Sequence, residues 1–147
     1  YNVYASILNK KHLSVSKEYF KDDGYLESQL EKAIKAGWHT PKLGDVTAKQ
    51  SVITHEMGHA LVHRTEMSGP MAIQEFKEIS KIRSSYKREL KKYRKSNKDV
   101  NDIFISDYAE KNIDEFVAEA FNMVETSPII SPFAQKVYDI IVKKRGK

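Results

Sequence analysis

The run HEMGH at residues 55–59 constrains this chain more than any other feature. Residues at i and i+4 of an α-helix project from one face about a turn apart, so His55 and His59 can bring both imidazoles to one ion. Thr47 followed by Gln50 has the form of a capping box, which predicts a helix from there to about His63. Gly58 is a poor choice inside that helix, costing about 1 kcal/mol against Ala, unless a neighbouring element packs too closely for a side chain. Zinc accepts neutral imidazole well, and a catalytic zinc site uses three protein ligands with a fourth position left to water. Glu56 lies one residue round the helix from His55 and can reach such a water without taking a coordination position.

The chain has no cysteine, which excludes thiolate metal sites, disulfide frameworks and a cysteine nucleophile. A third ligand must therefore be His, Asp or Glu. His63 stands at i+8 from His55, too far up the axis to share an ion within a continuous helix. His12 and His39 have no supporting pattern and are read as structural. The better candidates lie in ISDYAEKNIDEFVAEAF, residues 105–121. Asn112 reads as the N-cap of a helix reaching about Val124, with Glu115 and Glu119 on one face and Phe116, Ala120 and Phe121 for packing. Glu115 can then bind the metal. Glu119, a turn further on, can accept a hydrogen bond from the far nitrogen of a ligand histidine and fix its tautomer. Taken alone, the two carboxylates would also suit a solvated acidic face.

Around these motifs the chain reads as one domain over residues 1–147, mostly α with a small sheet. VYASIL and HLSVS are rich in β-branched and aromatic residues and read as short strands. Leu26, Leu30, Ala33 and Ile34 recur at helical spacing, and Gly37 is a stop signal. WHTPKLGD is a loop. A turn at Ser68 to Pro70 leads into a long amphipathic helix, on which Ile73, Phe76, Ile79, Ile82, Tyr86, Leu90 and Tyr93 oppose the basic residues. After SPIISP, a last helix runs from Phe133 to Lys144. No apolar run approaches the ~20 residues a membrane span needs, so no membrane partner is expected. YNVYASILNKK lacks the charged start and apolar block of a secretory leader. Because the chain opens on Tyr1, we expect a processed form or a domain cut from a larger protein.

HEMGHA followed by Y-x-x-x-N-x-x-E-F-x-A-E-A-F resembles the catalytic domain of anthrax lethal factor and the Pro-Pro endopeptidases. These are gluzincins, HExxH peptidases with a distant glutamate ligand. The resemblance covers residues 51–64 and 105–121. It implies an α+β, zincin-like fold: a small N-terminal sheet, an HExxH active-site helix and a downstream glutamate-ligand helix. It implies a zinc endopeptidase acting on a protein or peptide, in which His55, His59 and Glu115 bind Zn2+. Glu56 would be the general base, Tyr108 would contact the reacting carbonyl, and Glu119 would be the acid behind the ligands. HLSVS would line the cleft and pair with an extended peptide. AGWHTP, SVITHEMGHAL, ISDYAEKN, EFVAEAF and a terminal helix after SP are also similar to C-terminal domains of phage minor head or head-morphogenesis proteins. That likeness implies a phage or mobile-element origin with phage-particle proteins as partners, and it names no substrate.

Two other readings use the same chain. Residues 77–98 carry ten Lys and Arg against two Glu, so this segment is +8 within a net charge of +5. With Tyr86 and Tyr93 nearby, such a helix suits a nucleic-acid-binding module. Both tyrosines fall on the apolar stripe, however, so a solvated basic face is the plainer account. Alternatively, a metal only stabilises a structural domain of a phage head. Glu56 and Tyr108 argue against that, since neither is needed to hold zinc.

Overall fold

The computed structural model describes the backbone of residues 5–8, 12–15, 23–66 and 70–145, and the side chains of 23–61 and 73–142. Among the described residues there are five α-helices: α1 (Asp23–Lys35), α2 (Ala48–Glu66), α3 (Pro70–Arg94), α4 (Ile113–Thr126) and α5 (Pro132–Arg145). Two 3-10 turns, Val100–Asp102 and Tyr108–Glu110, lie between α3 and α4. Among the described residues the only β-structure is an antiparallel pair, β1 (Ala5–Leu8) with β2 (His12–Val15), in register from Ala5 opposite Val15 to Leu8 opposite His12. β1 is the strand packed along α2, the place expected for HLSVS. The side chains of His12 and His63, and residues 67–69 of the expected turn, lie outside the described residues. Among the described residues no helix is long and apolar enough to cross a membrane.

The helix ends follow from their capping residues. The Thr47 N–H donates to Gln50 Oε1 (2.8 Å) and the Gln50 N–H donates to Thr47 Oγ1 (3.1 Å), which is a reciprocal capping box at the start of α2. Asn112 accepts the Glu115 N–H at 2.9 Å and starts α4. After α1, Gly37 adopts φ 85°; its N–H donates to Ile34 O (3.0 Å), and the Trp38 N–H donates to Ala33 O (2.9 Å). This is a Schellman motif, and it turns the chain sharply toward His39.

α4 is the central helix, buried at every residue from Glu115 to Met123. On one side Phe116, Val117, Ala120 and Met123 pack with Ile79, Tyr86 and Leu90 of α3 and with Ala134, Val137 and Ile141 of α5. Phe76, Ile82 and Tyr93 are half-buried against this core, whereas Ile73, expected on the same stripe, is exposed. Leu26 and Leu30 of α1 join Ala48 and Val52 of α2 in a smaller cluster. α2 meets α4 at Gly58, where an added Cβ would stand 2.7 Å from Ala118 Cα and 3.2 Å from Phe121 Cβ. The glycine is thus required by backbone contact, and that contact fixes how far apart the two Glu- and His-bearing helices lie.

Candidate metal centre

A buried His/His/Glu triad sits between α2 and α4. Ligand-type atoms of His55, His59 and Glu115 all lie within 4.8 Å of one another. His55 Nε2 is 3.4 Å from Glu115 Oε1, and His59 Nε2 lies against the same oxygen. Tetrahedral ligands at about 2.0–2.1 Å from a zinc ion stand roughly 3.3 Å apart, and the His55–Glu115 edge of the triangle has that length. Glu115 Oε1 is buried without a well-formed hydrogen bond although both rings face it. A buried carboxylate oxygen facing two imidazoles is a place where a cation could be shared by all three side chains.

Glu119, one turn further along α4, is wholly buried and accepts three hydrogen bonds. His55 Nδ1 donates to Oε2 at 2.8 Å, His39 Nδ1 to Oε1 at 3.0 Å, and Ser106 Oγ to Oε1 at 2.7 Å. The first of these bonds keeps a proton on His55 Nδ1, so that with a metal bound the Nε2 lone pair would be the one offered to the ion beside Glu115. His39 and Glu119 also form, with His55, a second group of ligand-type atoms within reach of one another. There the carboxylate already accepts from both rings, so the triangle with His59 and Glu115 is the better place for an ion.

The reading of His39 as merely structural is corrected here. Its ring is 5% exposed, stacked on Tyr108 with centroids 5.5 Å apart and edge-on to His55 at 5.8 Å. Two backbone bonds bring it there: Asp107 N–H donates to Gly37 O (2.7 Å) and Tyr108 N–H donates to Trp38 O (3.2 Å). Asn122 Nδ2 adds a bond to Thr40 Oγ1 (3.4 Å) and another to Ser51 Oγ of α2 (3.2 Å). The segment before Tyr108 is fixed from behind, because Ile105 N–H donates to the Tyr86 hydroxyl (3.1 Å) and Ser131 Oγ donates to Ile103 O (2.6 Å). No spacing rule connects His39 to a carboxylate 80 residues away; the one local signal is the glycine stop of α1 just before it.

Tyr108 opens a 3-10 turn just ahead of the Asn112 cap and is 9% exposed. Its ring meets His55 edge-on at 5.9 Å and Trp38 at 6.3 Å, and Lys111 Nζ lies 5.3 Å from its centroid. Glu56 is half-buried on α2, close enough to feel the charges of His55, His59 and Glu115.

Burial favours the neutral form of each carboxyl here, and the imidazoles decide the outcome. Against burial, His39 and His55 hold Glu119 well below the usual carboxylate range, and His55 and His59 hold Glu115 at about 2. Burial would lower His55, but Glu115 and Glu119 raise it to about 10. Glu56 goes up, because burial outweighs the two histidines. Burial, helped by the nearby carboxylates, pushes Tyr108 up to about 12, so its hydroxyl keeps its proton at neutral pH. Compared with known proteins, the chain matches no family model, no curated protein and no solved structure. The centre is therefore defined by its own geometry.

Proposed function

We propose that the chain is a zinc-dependent endopeptidase with a zincin-like active site. The observation that carries this reading is the His55, His59 and Glu115 triangle, with Glu119 bonded to the far nitrogen of His55. Zinc, when bound, polarises a substrate carbonyl and lowers the pKa of a water from about 15.7 to near 7. The side chains supply the rest. Glu56, raised by burial, takes up a proton and delivers it to the leaving amine, a contribution typically of ~10²–10⁴-fold. Tyr108 keeps its proton and donates a hydrogen bond to the substrate oxygen as charge develops there, an effect on the order of 3 kcal/mol. His39, between Tyr108 and Glu119, restricts the motion of both. The likeness to the lethal factor and Pro-Pro endopeptidase motifs supports these roles, and the likeness to phage head-morphogenesis domains suggests particle proteins as partners.

Elemental analysis combined with cleavage of a peptide library tests the proposal. Native protein should hold one zinc per chain, and His59→Ala and Glu115→Ala should lose it. Glu56→Gln should keep the zinc and lose hydrolysis. Full hydrolysis by Glu56→Gln would overturn the mechanism. Zinc held by a native chain that cleaves no peptide would leave a structural zinc domain in its place.

A further inference from the structure

The outer face of α3 carries a charge pattern that the metal centre does not use. Its inner face buries Ile79, Tyr86 and Leu90. On the opposite side Lys77, Lys81, Arg88 and Lys91 are all exposed. Their spacings of four, seven and three residues are whole helical turns, so the four line up over about 21 Å at 1.5 Å per residue. On the flanks Lys92 pairs with Glu89 (3.3 Å) and Arg94 with Glu110 (3.2 Å), while Lys87 beside the row is exposed as well. None of the four in the row has an ion pair among the described residues; Arg88 only donates to Ser85 Oγ. Like charges one turn apart on a helix repel. A polyanion laid along the row would relieve that repulsion.

The surroundings of the row decide which polyanion. A helix that lies on a lipid surface needs Trp, Phe or Leu beside its cations, and a protein partner needs apolar or aromatic anchors. The row contains neither; among the described residues of α3 the exposed large apolar one is Ile73, ahead of it. Unpaired bases need exposed rings to stack on. Tyr86 is fully buried and accepts from Ile105, while Tyr93 is half-buried under Lys98 Nζ at 5.2 Å. What remains is a straight line of cations on a helix whose other face is packed, so it can lie across a duplex and touch phosphates without reading bases. We propose that this ridge of α3 binds the phosphate backbone of double-stranded nucleic acid without sequence preference.

Fluorescence anisotropy with labelled random-sequence DNA and RNA duplexes, using the full 147-residue chain, tests this. Four phosphate contacts predict about a 10²-fold loss of affinity between 50 and 200 mM salt. Lys81→Glu with Arg88→Glu should weaken binding at 50 mM at least tenfold. Lys32→Glu with Lys136→Glu, an equal charge change at exposed positions of α1 and α5, should weaken it less than threefold. Lys81→Gln with Arg88→Gln should fall between them, with circular dichroism confirming the fold of each variant. Binding to either duplex with this pattern supports the proposal, and the tighter duplex identifies the source. No binding at 50 mM, an equal loss in both charge-reversed variants, or tighter binding to poly-glutamate or anionic vesicles would overturn it.

Discussion

Glu119 has no exposure to solvent, yet its surroundings keep it charged. Burying an unpaired carboxylate costs several kcal/mol, and here the three donors from His39, His55 and Ser106 offset that cost. Because one of them is the far side of His55, a proposed zinc ligand, Glu119→Gln and His39→Ala should each weaken zinc binding, by roughly 10–100-fold for such supporting groups. Competition against a chromophoric chelator would measure this, and unchanged affinity in both would reduce the pair to a packing device. The metal-free protein should also show a pH optimum of stability. His55 is raised to about 10 from 6.5, so its contribution is complete below about 6.5 and is lost as pH climbs toward 10. Glu115 is lowered to about 2 from 4.5, so its contribution is present above about 4.5 and is lost as pH falls toward 2. Melting temperatures recorded in chelator should therefore peak between about pH 4.5 and 6.5. A midpoint that rises steadily from pH 6.5 to 9 would contradict the His55 assignment. At this scale His55, Glu56 and His59 were legible because helical spacing is local information, and Glu115 and Glu119 because a cap and a phase place them. His39 was not, because its partners arrive through backbone bonds between residues 37–38 and 107–108.

Among the elements, α2 and α4 hold the site, and Gly58 sets their approach. Ala is the better helix former by about 1 kcal/mol, so an exposed Gly58→Ala change would stabilise. In this crossing the new methyl meets the backbone of Ala118, and overpacking of about 1–3 kcal/mol should win. Urea unfolding should give a lower midpoint, and the same variant should bind zinc more weakly because α2 is displaced from Glu115. A higher midpoint would show that the two backbones do not touch. The ends of the helices were readable from Thr47, Gly37 and Asn112, whose side-chain or backbone requirements act within a turn. The central position of α4 was not. Asp114, Glu115 and Glu119 make its sequence look one-sided, and only the packing of α2, α3 and α5 around it makes burial of both glutamates possible.

At the scale of the molecule, the His55, His59 and Glu115 triad lies between α2, which shares the small apolar cluster with α1, and α4, which stands in the large one. Zinc at 100 times its Kd should add about 2.7 kcal/mol to stability. For a domain of this size that corresponds to roughly 10 °C in Tm, which EDTA should remove. A melting temperature indifferent to EDTA would count against an ion in this site. His59 and Glu115 are about 55 residues apart in the sequence, with all of α3 between them, so an ion held by both would tie together two distant helices of the folded chain. With zinc bound there, a chain without cysteines would hold two distant segments together by a tie that forms without an oxidant and opens without a reductant.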